Sequence, residues 1–139
     1  MNPLPRWNTS QIWRVLVVDD EPAIRETLSD LLEDEGFVVT RARDGLEALH
    51  LLESRVFDLV VSDVKMPRLD GASMARHLRR QGIPIPIVLM SAVYADVDLA
   101  GITFIPKPFD FDVLLRRVRE ALASSGASRR EPVIAQVHA

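Results

Sequence analysis

Cysteine is absent from the 139 residues, which removes disulfide scaffolds, thiolate zinc sites and cysteine nucleophiles and gives no sign of an oxidising compartment. A surplus of one charge is also lacking: 17 Lys and Arg stand against 20 Asp and Glu, for a net charge of -3. No global field therefore draws the chain onto nucleic acid or an anionic membrane, and any function must come from a local site. No apolar run approaches the ~20 residues that span a bilayer. The opening MNPLPRWNTSQIW lacks the uninterrupted apolar stretch of a signal peptide, so a cytoplasmic protein with no membrane partner is the expectation. Gly numbers 6 and Pro 9, too few for a collagenous or low-complexity chain. What is there, 47% hydrophobic and 27% charged, is the makeup of one globular domain, the default at this length.

Five short apolar runs, at 15–18, 38–42, 59–62, 85–90 and 103–105, alternate with amphipathic stretches. That is the pattern of a parallel sheet covered by helices on both faces. The runs VLVV, LVV and IVLM show no inside-outside alternation, which marks strands buried on both faces in mid-sheet. The second run carries Thr40 and Arg41, and the fifth is short and followed by Pro106, which cannot donate to a ladder; both read as edges. The strand order 2-1-3-4-5 follows. The predicted fold class is α/β, a single-domain doubly wound parallel five-stranded sheet over 14–124. Residues 1–13 read as an N-terminal extension and 125–139 as a C-terminal tail, disordered or serving as a docking peptide.

Pro22 opens the first helix, with Ile24, Leu28, Leu31 and Leu32 inward and a stop before Gly36. The second is predicted over 45–53, the third over 73–81 and the last over 110–124, each with an apolar stripe that is core. The fourth crossover, 92–102, has 11 residues, fewer than the dozen or more a parallel crossover needs. Its helix is expected to be shortened or missing once two loops are subtracted. His50 and His77 fall on helices away from the strand ends, and Arg116, Arg117 and Arg119 read as a solvated helix face.

In an open parallel sheet, ligands bind at the carboxyl ends of the strands, near the point where the order reverses. Asp19, Asp20 and Glu21 follow strand one, Asp63 ends strand three, Ser91 ends strand four and Lys107 follows strand five. Each pair of carboxylates at ~4 Å repels by ~4 kcal/mol at an effective dielectric of about 20, so a cation belongs among them. Oxygen donors without His or Cys suit Mg²⁺ or Mn²⁺. A carboxylate in such a nest can attack phosphorus to form an aspartyl phosphate. The metal and Lys107 would neutralise the phosphoryl oxygens, with Ser91 donating a hydrogen bond to one of them. Taken singly, each Asp serves equally well as a helix cap; the ordered set is what points to chemistry. Asp70-Gly71 and Pro67 read as turn chemistry only.

The strings VLVVDDEPAIR, VVSDVKMPRLDG, MSA and FIPKPF resemble the receiver domain of two-component response regulators, over about 14–124. The resemblance implies a flavodoxin-like fold with Asp63 as phosphoacceptor. It implies Asp20, Asp63 and the Lys65 backbone carbonyl as metal ligands and Asp19 as a ligand through water. Ser91 is similar to the family's switch hydroxyl, Lys107 to its ammonium, Phe104 to the aromatic whose rotamer reports activation, and Lys107-Pro108 to a bond that is cis in the family.

The implied function is a single-domain response regulator. It takes a phosphoryl group from a histidine kinase or phosphotransfer protein on Asp63 and switches a surface for an unidentified protein target, without direct nucleic-acid contact. Such a protein is a phosphoacceptor switch with slow autodephosphorylation and not a turnover enzyme; a homodimer is left open. The alternatives are the receiver portion of a larger DNA-binding regulator, a phosphorylation-independent pseudo-receiver, and an Mg²⁺-dependent aspartyl-phosphate phosphohydrolase. Hydrolases resembling haloacid dehalogenases carry the nucleophile in a D-x-D after strand one, whereas here the pair is adjacent and the acceptor candidate follows strand three. Two departures from the family stand out. The short fourth crossover removes part of the usual signalling face, and residues 92–102 are expected to become ordered on phosphorylation or partner binding. Lys65 and Val93, two beyond Asp63 and Ser91, offer no carboxylate or amide to orient a hydrolytic water, which implies a long-lived phosphoryl group.

Overall fold

The first strand, β1 (Arg14–Val18), shows why the apolar runs are continuous. Val15 and Val17 enter one core cluster, Leu16 and Val18 enter the other, and all four are fully buried. A computed structural model describes residues 11–92 and 99–125. In chain order the elements after β1 are α1 (Pro22–Asp34), β2 (Val38–Ala42), α2 (Gly45–Ser54), β3 (Leu59–Asp63), α3 (Gly71–Arg80), β4 (Ile87–Ser91), β5 (Ile102–Pro106) and α4 (Phe111–Ser124). The sheet is parallel throughout, in the order β2-β1-β3-β4-β5. β3 and β4 are buried along their whole length, while β2 and β5 are only partly covered, as edge strands must be.

Helices α1 and α4 pack their Leu28, Leu32, Leu114, Val118 and Leu122 on one face of the sheet. α2 and α3 cover the other with Ala48, Met74, Ala75 and Leu78. Trp13 joins the first cluster, and its carbonyl accepts the Val38 N–H at 2.9 Å, so the entry to β1 is tied to the edge strand. Because every pairing in the sheet is parallel, each strand points its carboxyl end to the same rim.

Two element starts differ by two residues from the sequence expectation, the remaining boundaries by no more than one. β4 starts at Ile87 and not at residue 85, because Pro86 has no N–H to give; the first ladder donor is Ile87, bonded to the Gly101 carbonyl at 3.0 Å. α3 starts two residues early because the Asp70 carboxylate accepts the Ser73 N–H at 2.7 Å and caps the helix. The shortened or missing helix expected in the fourth crossover falls largely on residues 93–98, outside the described residues. Among the described residues no helix is long and apolar enough to cross a membrane.

Candidate functional site

Parallel strands deliver the expected residues to one rim. Asp19 follows β1, Asp63 ends β3 and Ser91 ends β4, and each of the three is buried. Carboxylate oxygens of Asp19, Asp20 and Asp63 all lie within 4.8 Å of one another, close enough to hold one metal ion. Lys107, just past β5, brings its Nζ to 2.9 Å from Asp63 Oδ1, and its own N–H is bonded to the Ser91 carbonyl at 2.8 Å. The Lys107 backbone is thereby tethered to the end of β4, and its ammonium to the carboxylate it faces. Lys107-Pro108 is cis. Lys65 is exposed in the loop leaving Asp63, and Phe104 lies in the middle of β5, half-buried against the α2/α3-side core and in register with Leu89. Of the histidines His50 and His77, neither joins the acidic group. Arg119 is partly drawn out of the solvated face predicted for it by an ion pair with Glu35 at 3.1 Å.

Further contacts shape the site that sequence reasoning did not single out. Arg25 on α1 donates Nη1 to the Asp19 carbonyl at 2.9 Å, bracing the turn that presents the acidic pair. Gly71 was read as turn chemistry, yet a Cβ there would sit 2.4 Å from the Asp63 carbonyl oxygen. The N-terminus of α3 thus lies directly behind the central carboxylate, where only glycine fits. The signal was present as the D-G dipeptide; its meaning depended on a backbone approach that no local pattern encodes.

The donor set suits a hard divalent cation: oxygen only, three carboxylates and one fixed ammonium. Asp19 supports this independently. Its Oδ1 accepts the Glu21 N–H at 2.9 Å, while its buried Oδ2 has no hydrogen-bond partner among the described residues, an arrangement that costs stability unless something positive occupies the place. Burial pushes the Asp19 carboxyl up from its ordinary range, and Asp63 and Asp20 push the same way, against the Glu21 N–H and Lys107. A raised folded-state value means that Asp19 contributes stability below its unfolded value of about 3.9, and that this contribution is lost as pH rises through the folded value. At neutral pH the ionised group is therefore a net cost in metal-free protein. Asp19→Asn is expected to raise the metal-free thermal midpoint at pH 7 by a few degrees, with the gain vanishing below about pH 4. Thermal scans across pH check this; a lower midpoint for the variant at pH 7 refutes it.

With this geometry in place, comparison with known proteins is specific. The family model of the response regulator receiver domain matches residues 15–119. Response regulator MprA of Mycobacterium sp. (strain KMS) is 43% identical over 115 residues, covering 78% of this chain and 50% of the relative. MprA of Mycolicibacterium vanbaalenii is 44% identical with the same coverage. The chain thus spans about half the length of the curated relatives it matches. Among solved structures, the receiver domain of the Francisella response regulator 1452 superposes with a TM-score of 0.73 at 34% identity, covering 79% of this chain and 96% of that one. Response regulator TrrA of Thermotoga maritima, solved in complex with Mg²⁺-BeF, superposes with a TM-score of 0.70 at 37% identity, covering 78% and 98%. Sheet order, acidic rim and these matches together make the chain a member of the response regulator receiver domain family.

Proposed function

We propose that Asp63 accepts a phosphoryl group from a histidine kinase or phosphotransfer protein and that the modified site switches a protein-binding surface. The observation that carries this reading is the Lys107 Nζ lying 2.9 Å from Asp63 Oδ1 beside two further carboxylates. Asp20, Asp63 and the Lys65 backbone carbonyl would hold Mg²⁺, or Mn²⁺ in its place, and Asp19 would do so through water. When bound, the ion supplies positive charge to the oxygens of the transferring group. An Asp63 oxygen attacks phosphorus, the P–N bond of the donor phosphohistidine breaks, and the leaving imidazole keeps the electron pair and takes up a proton. The product on Asp63 is a mixed anhydride. Lys107 neutralises the growing charge, Ser91 donates its hydroxyl to a phosphoryl oxygen, and Phe104 relays the change along β5.

The chain acts in this reading as a cytoplasmic switch and not as a turnover enzyme. Lys65, the side chain two beyond Asp63, has no carboxylate with which to orient an attacking water, so the phosphoryl group is long-lived; Val93, the other residue of that expectation, lies outside the described residues. A second reading, the receiver part of a longer DNA-binding regulator, is favoured by the chain covering only 50% of MprA. Acetyl phosphate with and without Mg²⁺ tests the proposal by intact mass and peptide mapping. A single Mg²⁺-dependent addition on the peptide holding Asp63 is expected, whereas an addition elsewhere, or one indifferent to a chelator, overturns it.

A further inference from the structure

Asp44 is a buried carboxylate outside the acidic cluster. It is the N-cap of α2, its Oδ1 accepting the Glu47 N–H at 2.8 Å, and its Oδ2 takes the guanidinium of Arg68. The pair holds its charge: burial works to raise the Asp44 carboxyl but is outweighed by the Glu47 N–H and Arg68, which set it below the usual range. Arg68 belongs to the loop 64–70 that follows Asp63, and it has a φ of 70°, a left-handed conformation a non-glycine residue keeps only where its surroundings impose it. The next residue is seated too: a Cβ on Gly45 would fall 2.5 Å from the Leu69 carbonyl oxygen, so backbone meets backbone there. At its base the loop is closed by Gly71 N–H to Val64 carbonyl at 2.8 Å and Val64 N–H to Met90 carbonyl at 2.9 Å. Lys65 lies between the fixed base and the docked tip.

We infer that Asp44 and Arg68 form a latch that holds the 64–70 loop on the N-terminus of α2 and thereby positions the Lys65 carbonyl for the divalent ion. Both are positioning residues, and neither is a metal ligand. This inference rests on the metal-site reading above, and it makes metal affinity depend on a contact between two loops that the acidic cluster does not include.

Charge alone and geometry make opposite demands on one variant, which makes the latch testable. Removing the Asp44 charge weakens cation binding in either case. Removing the Arg68 cation strengthens it if only long-range charge matters, and weakens it if the loop loses its seat. Mg²⁺ alone is titrated calorimetrically into wild type, Asp44→Asn, Arg68→Ala, Arg68→Lys and the double variant. Asn keeps the helix cap, and Arg68 is mostly exposed, so the variants fold. Asp44→Asn and Arg68→Ala are each expected to bind Mg²⁺ on the order of tenfold more weakly. Arg68→Lys should recover much of the loss, and the double variant should fall no further than either single one. An Arg68→Ala variant that binds Mg²⁺ as tightly as wild type, or more tightly, overturns the latch while leaving the metal site standing. Wild type that binds no Mg²⁺ overturns the metal-site reading and the latch with it.

Discussion

Asp63→Asn is expected to take up no phosphoryl group from acetyl phosphate under conditions that modify the wild type, with no loss of thermal stability. The amide is isosteric with the carboxylate but has no nucleophilic oxygen pair of comparable strength, so the anhydride cannot form. A loss on the order of 10³-fold or more is the scale for deleting a nucleophile. The fold should tolerate the change although Asp63 is only 7% exposed. The variant gives up the ion pair of Asp63 with Lys107, but it also relieves the crowding of Asp63 with Asp19 and Asp20, and these terms oppose each other. Mg²⁺ affinity falls as well, because one of three carboxylates is neutralised. Intact mass over a time course, paired with a thermal scan, checks both halves. Incorporation within tenfold of wild type would transfer the acceptor role to Asp19 or Asp20 and end the assignment to Asp63.

Gly71→Ala is expected to be the most damaging single-methyl change near the site. Its Cβ would stand 2.4 Å from the Asp63 carbonyl oxygen, 3.2 Å from the carbonyl carbon and 3.1 Å from Leu89 Cδ2. Two of those neighbours are backbone atoms at the end of a fully buried strand paired with β4, and Leu89 is itself fully buried. None can step aside cheaply in an interior packed to crystal density. Either α3 lifts away, opening the α2/α3 side of the core, or the end of β3 shifts and moves the central carboxylate off its partners. The stability cost is about 3 kcal/mol, the upper end for overpacking, a fall of about 10 °C in midpoint for a chain of this size. Acetyl phosphate labelling should slow by more than tenfold, since small misplacements of reacting groups are that costly. A Gly71→Ala protein with wild-type urea midpoint and labelling rate would show that α3 does not rest on Asp63.

How much of this was legible in the chain follows from which features are periodic. Strands buried on both faces have no polar alternation, so VLVV at 15–18, LVV at 59–61 and IVLM at 87–90 announced central strands. Thr40, Arg41 and Pro106 announced edges, and the sheet order followed. Parallel strands then send every carboxyl end to one rim, which is why the order of Asp19, Asp20, Asp63, Ser91 and Lys107 along the chain already groups them. Strand and helix starts were less legible where one backbone group decides them, as with the missing N–H of Pro86 and the Asp70 cap on Ser73.

Sheet order and the acidic rim were readable from the chain because burial on both faces is a local, repeating property and alternating strands and helices imply parallel pairing. Tertiary structure alone decided that Lys107 faces Asp63 Oδ1, that Gly71 leaves no room behind Asp63, and that Arg68 reaches Asp44 across 24 residues. Those contacts depend on loop paths and on one left-handed residue, and nothing in the spacing of a chain says which loops will touch.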